Sequence, residues 1–297
     1  GNPLGGVKPP VPLILPDPTR RFARSAARLR VLSVGHPMAE WLQFMASLAS
    51  AQHAAAITAE PLSGPNPTAV QQAALTGLPP LAADGHPRHP SWRLGLYRML
   101  DQFDGAAMPA PARAAIGGLR SRRDAAAVER LADAFLRTGV DTTDAAPALY
   151  IAAALQIYFT RLATGLHAPS LSLLLQRGLC PSCGSTPVSG VITASGPSPG
   201  VRYLYCSLCA TAWNHVRAAC ITCGESGGLA LQGIADDAGV AKAEVCNACH
   251  TYAKMLYQVR DMDVDPFADD LATIGLDMLM AEAGWSRHAS NPLLLTG

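Results

Sequence analysis

The stretch Cys180-Pro-Ser-Cys183, Cys206-Ser-Leu-Cys209, Cys220-Ile-Thr-Cys223 and Cys246-Asn-Ala-Cys249 contains all eight cysteines of the 297-residue chain. The first two pairs have the same spacing as the last two, so that Cys180 corresponds to Cys220 and Cys209 to Cys249. The thiols therefore define a tandem repeat. Within each repeat 22 residues separate the two pairs, enough for a short hairpin, whereas only 10 separate Cys209 from Cys220. This spacing favours pairing within each repeat.

A Cys-x-x-Cys turn, or knuckle, directs two sulfurs at one point, and two facing knuckles supply four thiolates for a tetrahedral zinc or iron ion. Gly184 and Gly224 follow the first knuckle of each repeat, where glycine tolerates the positive φ of such a turn. Residues 203–205 and 243–245 indicate short strands leading into the second knuckles. Two metal sites are predicted, one formed by Cys180, Cys183, Cys206 and Cys209 and the other by Cys220, Cys223, Cys246 and Cys249.

Three other uses of the cysteines are disfavoured. A disulfide scaffold does not fit the cysteine-free residues 1–179 or the lack of a visible secretory signal. Thioredoxin-like chemistry needs one Cys-x-x-Cys pair near a βαβ unit, not four in a repeat. A haem attached at Cys246-Asn-Ala-Cys249-His250 would leave Cys220 and Cys223 without partners. The Cys-Pro-x-Cys-Gly form at Cys180 is typical of rubredoxin knuckles but also occurs in zinc ribbons, so iron and zinc both remain open.

Composition and the lack of known catalytic motifs argue against several classes of function. The formal net charge is +1 and charged residues make up 15% of the chain, which argues against a nucleic-acid binder with a basic face. No apolar run reaches the length that predicts a membrane span. No metalloprotease, serine-hydrolase or phosphate-loop motif occurs. With the thiols assigned to metal, the chain is expected to be a binding or assembly protein and not an enzyme.

The chain is expected to be a mainly α N-terminal helical domain, then tandem rubredoxin-like or zinc-ribbon β modules and a C-terminal helix. The boundaries predicted are 1–170 for the helical bundle, 171–218 and 219–262 for the two four-cysteine modules, and 263–297 for the C-terminal helix and tail. Residues 60–90 are expected to be a proline-rich loop. Helices are predicted at Pro18 to about Ser33, Pro37–Ala59, Ser91–Phe103, Pro109–Leu119, Asp124–Arg137, Ala146–Leu166 and Pro266–Gly284.

Two clusters of polar residues look like alternative metal sites and are assigned structural roles. His86 and His89 lie in the proline-rich loop, where packing or solvent contact is the more common role. Asp261, Asp263, Asp265, Asp269 and Asp270 lack the glycine and terminal glutamate of a calcium-binding EF-hand loop. They are expected to form a solvated face, with Asp265 capping the final helix.

One specific motif is Arg202-Tyr-Leu-Tyr-Cys-Ser-Leu-Cys-Ala-Thr-Ala-Trp-Asn-His-Val-Arg217. It resembles FdhE, the family of formate dehydrogenase accessory proteins. Leu15-Pro16-Asp17-Pro18 and Gly35-His36-Pro37 are similar to the N-terminal part of the family. The segments 242–249, 252–258, 268–272 and 279–284 extend the likeness over essentially the whole chain.

The resemblance implies a cytoplasmic assembly factor required for active respiratory formate dehydrogenases, with the catalytic subunit as its partner. It also implies two rubredoxin-like sites, which favours iron over zinc, and it carries over no catalytic residues. Self-association is left open, and neither a nucleic acid nor an integral membrane segment is expected. The alternative is an electron carrier or redox sensor that uses the two four-cysteine iron sites.

Overall fold

The computed structural model describes residues 9–103, 108–121, 124–138, 145–196, 198–235 and 238–294. Two regions follow one another along it, a helical one and one built on a sheet. The helices are α1 (Arg21–Ser33), α2 (Ala39–Thr58), α3 (Pro67–Thr76), α4 (Ser91–Asp101), α5 (Ala110–Ser121), α6 (Ala125–Thr138), α7 (Ala145–Ala163), α8 (Ala268–Ala272) and α9 (Ile274–Glu282).

Helix α7 lies at the centre of the helical region, as its continuous apolar sequence predicts. Residues 148–160 of α7 are all buried, and α2, α4, α5 and α6 pack around it. The same apolar core continues past the helices to Cys180, Cys206 and Trp213 of the sheet region. The helical region and the first cysteine repeat therefore share one core.

The sequence prediction is wrong about residues 60–90, which contain α3. Asn66 caps this helix by accepting a hydrogen bond from the Thr68 amide at 2.9 Å, and Pro67 occupies its first turn. Gly77 ends the helix in the left-handed conformation, with φ of 68°. These are ordinary start and stop signals, obscured by the many prolines on either side.

The first helix begins at Arg21 and not at Pro18 as predicted, because Asp17 caps a preceding turn at 18–20. The final helix, predicted as one element, is divided at Thr273 into α8 and α9. The Lys254 ammonium donates to the carbonyl oxygens of Asp270 and Thr273, at 2.8 and 3.3 Å. These carbonyls are therefore satisfied by a side chain from the sheet at the point where the helix is interrupted.

The strands form one mixed sheet that contains both cysteine repeats. They are β1 (Leu13–Ile14), β2 (Pro187–Ile192), β3 (Arg202–Cys206), β4 (Ala212–Asn214), β5 (Leu229–Gln232), β6 (Ala241–Cys246), β7 (Thr251–Tyr257) and β8 (Ser286–Arg287). The order is β1-β4-β3-β2-β7-β6-β5, and β8 pairs with β7. Helices with a mixed sheet, not a mainly α fold, describe the chain.

The parallel pairing of β2 with β7 joins the two cysteine repeats. Gly190 lies opposite Met255 in this pairing, and a Cβ on Gly190 would lie 2.5 Å from Met255 Sδ. The absence of a side chain at residue 190 therefore lets the thioether pack over the strand. At the far edge, Leu13 pairs with Trp213, so the N-terminal segment completes the sheet.

Of the five aspartates within residues 261–270, after β7, Asp263 is exposed, but three do not lie on the solvated face that was predicted. Asp265, Asp269 and Asp270 are all buried. Arg28 of α1 pairs with Asp269 at 2.7 Å, while Lys254 pairs with Asp270 at 3.1 Å. Asp265 does cap the final helical segment, accepting from the amides of residues 267 and 268. These carboxylates hold the helical region, the sheet and α8 together.

Over the described part of the chain, every helix is too short or too polar to span a bilayer.

Candidate metal centres

The first cluster contains the four thiols of the first repeat. Cys180 and Cys183 follow the helical region, Cys206 is the last residue of β3, and Cys209 lies in the turn between β3 and β4. Their four Sγ atoms lie within 4.8 Å of one another. Cys180 Sγ lies 3.6 Å from Cys209 Sγ, and Cys183 Sγ lies 3.5 Å from Cys206 Sγ.

The second cluster has the same arrangement in the second repeat. Cys220 and Cys223 lie between β4 and β5, Cys246 is the last residue of β6, and Cys249 lies in the turn between β6 and β7. The distances are 3.7 Å from Cys220 Sγ to Cys249 Sγ and 3.8 Å from Cys223 Sγ to Cys246 Sγ. The thiols thus converge within each repeat and not between repeats.

These distances suit a metal ion and not a disulfide. A tetrahedral ion with metal–sulfur bonds of about 2.3 Å places its ligands about 3.8 Å apart. Sulfurs in a disulfide are about 2.05 Å apart, and all eight cysteines are free thiols. The two four-cysteine clusters could each hold a metal ion. Zinc would be redox-silent there, whereas iron could change its charge.

All four knuckles end in a residue with left-handed backbone conformation. Gly184 and Gly224 have φ of 79° and 77°. Ala210 and His250 occupy the same place after the second knuckles, with φ of 61° and 60°. Because non-glycine residues rarely adopt this conformation, the knuckle geometry is imposed by its surroundings. The turns are closed by bonds such as Gly184 N–H to the Cys180 carbonyl at 2.8 Å.

Backbone amides point at the sulfurs in both clusters. The amides of Leu208 and Cys209 each lie 3.4 Å from Cys206 Sγ, and the Thr222 amide lies 3.4 Å from Cys220 Sγ. Such donors stabilise thiolate charge and tune the potential of a bound iron ion.

Two residues with hydroxyl side chains lie beside each cluster, and their positions repeat with the same spacing as the cysteines. Thr211 Oγ1 lies 3.2 Å from Cys209 Sγ and donates to Ser182 Oγ at 3.0 Å. Their counterparts are Thr251, 3.1 Å from Cys249 Sγ, and Thr222, whose hydroxyl lies 2.9 Å from that of Thr251. The sequence prediction stopped at the cysteines, although the same spacing identifies these hydroxyls.

The two clusters differ in burial. All four thiols of the first cluster are buried, with at most 2% exposure. The loop before α4 covers its first knuckle: the amides of Leu81 and Ala83 donate to the carbonyls of Ser182 and Cys183, both at 2.9 Å. Gln156 of α7 donates to the Ser207 carbonyl of the second knuckle at 2.9 Å. The helical region therefore encloses the first cluster.

The second cluster reaches the surface. Cys223 is exposed and Cys249 is half-buried, whereas Cys220 and Cys246 are buried. Its first knuckle forms one wall of a groove of about 700 Å³. Leu175 and Val216, 94% and 67% exposed, also line this groove.

The thiols also differ in the direction in which their pKa values are shifted. Burial raises the pKa of the Cys180 and Cys206 thiols, and hydrogen bonds within the cluster add to the effect on Cys180. Burial opposes the charge of Cys183 in the same cluster, but hydrogen bonds from the other three cysteines lower the pKa of its thiol. A bound cation would stabilise the remaining thiolates. In the second cluster burial opposes the Cys249 thiolate, but hydrogen bonds from Thr251 and the neighbouring cysteines lower the pKa to about 7.

Burial predicts unequal metal release. When holoprotein is mixed with a chromogenic chelator, the second centre is expected to lose its metal first. The first centre should follow roughly a hundredfold more slowly, because a chelator reaches it only after a local opening that costs a few kcal/mol. Absorbance of the chelate gives the two phases, and mass spectrometry after thiol alkylation identifies the cysteines released. A single phase with equal labelling of both repeats would contradict the prediction.

In the described ranges of the chain, neither cluster of metal-ligand side chains includes a histidine. The ring of His86 packs edge-on against Phe159, with centroids 5.6 Å apart, and the His89 amide donates to the Tyr158 hydroxyl. His250 is exposed and stacks on Trp285, with centroids 4.2 Å apart. Among the described residues, groups of three or more metal-ligand side chains occur only as the two cysteine clusters.

Comparison with known proteins gives matches along the whole chain. Three family profiles match in order, FdhE N-terminal at residues 10–175, FdhE central domain at 179–217 and FdhE C-terminal domain at 218–294. An FdhE homolog of Edwardsiella ictaluri is 39% identical over 298 residues, which cover 99% of this chain and 94% of that protein. FdhE of Escherichia coli is 34% identical over 287 residues, covering 96% and 92% respectively.

The fold matches a solved structure. The crystal structure of the FdhE protein from Pseudomonas aeruginosa superimposes with a TM-score of 0.83 and 34% sequence identity, covering 97% of this chain and all of that one. Since family profiles, relatives and fold agree over nearly the full length, the chain belongs to the FdhE family.

Proposed function

We propose that this protein is a cytoplasmic accessory protein for the maturation of respiratory formate dehydrogenase, and that it binds the catalytic subunit of that enzyme. Membership of the FdhE family carries the proposal. Its role is binding and assembly, not catalysis. The two metal centres then either shape the surface that the partner contacts or report its redox state.

The eight cysteines are assigned as the ligands of two metal ions of the rubredoxin type, with iron favoured and zinc as the alternative. The sulfur–sulfur distances of 3.5–3.8 Å and the amides directed at Cys206 and Cys220 support this assignment. Anaerobic purification followed by metal analysis distinguishes the ions. Ferric iron with four thiolates absorbs visible light, whereas zinc thiolates do not.

Exposure of the second cluster favours one alternative function, that of an electron carrier or redox sensor. A redox partner could approach Cys223 at the surface, whereas the first cluster lies beneath the helical region. This alternative requires iron. A redox titration of the visible absorbance would support it by a reversible one-electron transition, and a protein that holds only zinc would exclude it.

The groove beside the second cluster is the surface that we assign to the catalytic subunit. Leu175 is 94% exposed and carries no core packing that its replacement would disturb. Val216 is a second exposed apolar residue in the same groove, and exposed apolar surface that is contiguous marks interaction sites.

Binding can be tested with purified components. Tagged wild-type protein should retain the catalytic subunit on a column, and Leu175→Asp should weaken retention at least about tenfold, because a charge would enter an apolar contact. Light scattering of the eluted complex gives its stoichiometry and reports self-association.

Val34→Asp is the matched control, because Val34 is 84% exposed and lies outside the groove. It should bind as the wild type does. If the wild type retains no subunit, and a deletion strain still makes active formate dehydrogenase, the proposed function is wrong. Equal retention of both variants would reject only the groove.

A further inference from the structure

A second pocket lies beside the first cluster, on the side where α1 begins. Its volume is about 300 Å³. Arg20, Arg21 and Arg24 line it, and we call it the arginine pocket. Tyr205 and Gln258 add a hydroxyl and an amide to the lining. Three guanidinium groups in one pocket of this size identify it as a candidate anion site.

Within the described residues Arg21 is half-buried and forms no direct ion pair; the Ser25 hydroxyl links it to the Asp265 carboxylate. Its guanidinium carbon lies 3.3 Å from the centroid of the Phe267 ring, and its Nη1 donates to Ser25 Oγ at 2.9 Å. Its Nε is enclosed and has no hydrogen-bond partner among the described residues. Burial lowers the pKa of Arg21 to about 10, although the charges of Asp265 and Cys206 oppose the shift. A partly desolvated guanidinium that has no direct anionic contact is stabilised when an anion in the pocket pairs with it.

Two carboxylates also line the pocket, and one oxygen of each is already hydrogen-bonded. Asp17 Oδ1 accepts from the amide and the hydroxyl of Thr19, at 2.9 and 2.6 Å. Asp265 Oδ1 accepts from Ser25 Oγ at 2.8 Å and from the amides of residues 267 and 268. These bonds fix both carboxylates in helix-capping positions.

The remaining donors are available. Within the described residues, the guanidinium groups of Arg20 and Arg24 form neither hydrogen bonds nor ion pairs, and both residues are exposed. Gln258 accepts from the Ala194 amide through Oε1, which leaves its NH₂ group for a ligand. The positive end of the α1 dipole adds to the potential of these groups.

We propose that the arginine pocket binds the phosphate group of a small phosphorylated molecule. Three guanidinium groups, an amide and a hydroxyl offer more donors than the two oxygens of one carboxylate can accept, whereas a phosphate presents more oxygens and a second negative charge. Ala210, which directly follows Cys209, also lines the pocket. A bound phosphate would therefore lie beside the second knuckle of the first cluster. The site is independent of the proposed docking groove.

Calorimetric titration of the full-length holoprotein tests the site with inorganic phosphate, pyrophosphate and AMP, and with acetate at equal ionic strength. Saturable binding of the phosphates but not of acetate is expected. The double variant Arg20→Gln/Arg24→Gln should weaken binding by about tenfold for each arginine. Tighter binding of AMP than of inorganic phosphate would support an organic phosphate, and equal binding would support the free anion.

Arg30→Gln is the matched control, because Arg30 is exposed on the same helix and does not line the pocket. It should bind phosphate as the wild type does, and the melting temperature of each unliganded variant reports its folding. Three outcomes would overturn the proposal: no saturable phosphate binding, equal losses in Arg30→Gln and in the double variant, or acetate binding as tight as that of phosphate. The last would point to a carboxylate ligand such as an acidic peptide.

Discussion

Replacing Cys180 with serine is expected to remove the first metal and to unfold much of the protein. Structural zinc contributes about 10–16 kcal/mol to the folding of small zinc-finger peptides, and whole domains are stable by about 5–15 kcal/mol. Cys180 is fully buried in the core that also contains the helices around α7. Loss of this centre should therefore lower the melting temperature of the helical region as well as that of the sheet.

Cys220→Ser is the matched comparison, because Cys220 holds the same place in the second repeat. That repeat packs partly in a separate small cluster of Ala243, Val245 and Tyr252. Its loss of metal should destabilise β5 and β6 while the helices melt nearly as in the wild type. The metal-to-protein ratio and far-ultraviolet circular dichroism measure both effects. If Cys180→Ser kept two metals and its thermal stability, the ligand assignment of the first centre would be wrong.

Asp270→Asn is expected to cost about 3–5 kcal/mol of unfolding free energy, because it breaks a buried ion-pair network. Asp270 is fully buried and pairs with Lys254 at 3.1 Å and with Arg287. It also accepts from Asn291 Nδ2 at 3.0 Å. The neutral amide would remove the negative charge that pairs with these two cations. Urea unfolding followed by circular dichroism gives the change.

Asp263→Asn, in an exposed residue of the same acidic segment, should change stability by less than about 0.5 kcal/mol. The network would be unimportant if both variants unfolded at the same urea concentration as the wild type.

The effect of Asp270→Asn should depend on pH in a defined direction. Burial opposes the charge of Asp270, but Lys254 and Arg287 outweigh burial, so the pKa of the carboxyl lies below its ordinary value. A carboxyl with a lowered folded-state pKa stabilises the protein above its unfolded pKa of about 4 and loses this contribution as the pH falls through the folded value. The wild-type advantage should therefore be constant near neutral pH and shrink below about pH 4.

Local sequence signals predicted much of this architecture. The helix α7 followed from an unbroken apolar pattern, and the Asp265 cap from its place before Pro266. The prediction failed where a distant residue decides the local conformation. Lys254 donates to a carbonyl where the final helix divides. Arg28 pairs with Asp269, so that this aspartate is buried although the sequence predicted it to be exposed. Such partners are distant in the sequence and leave no periodic signal.

Local sequence features are enough to predict which thiols converge. The identical spacing of the two sets of cysteines and a glycine after the first knuckle of each repeat are local features, and short loops bring the knuckles together. The difference in burial between the two clusters, in contrast, arises from tertiary contacts. Residues 81–83 cover one knuckle from a distant part of the chain, and the parallel pairing of β2 with β7 merges both repeats into one sheet. Burial of one centre and exposure of the other result from these long-range contacts, which the repeat does not contain.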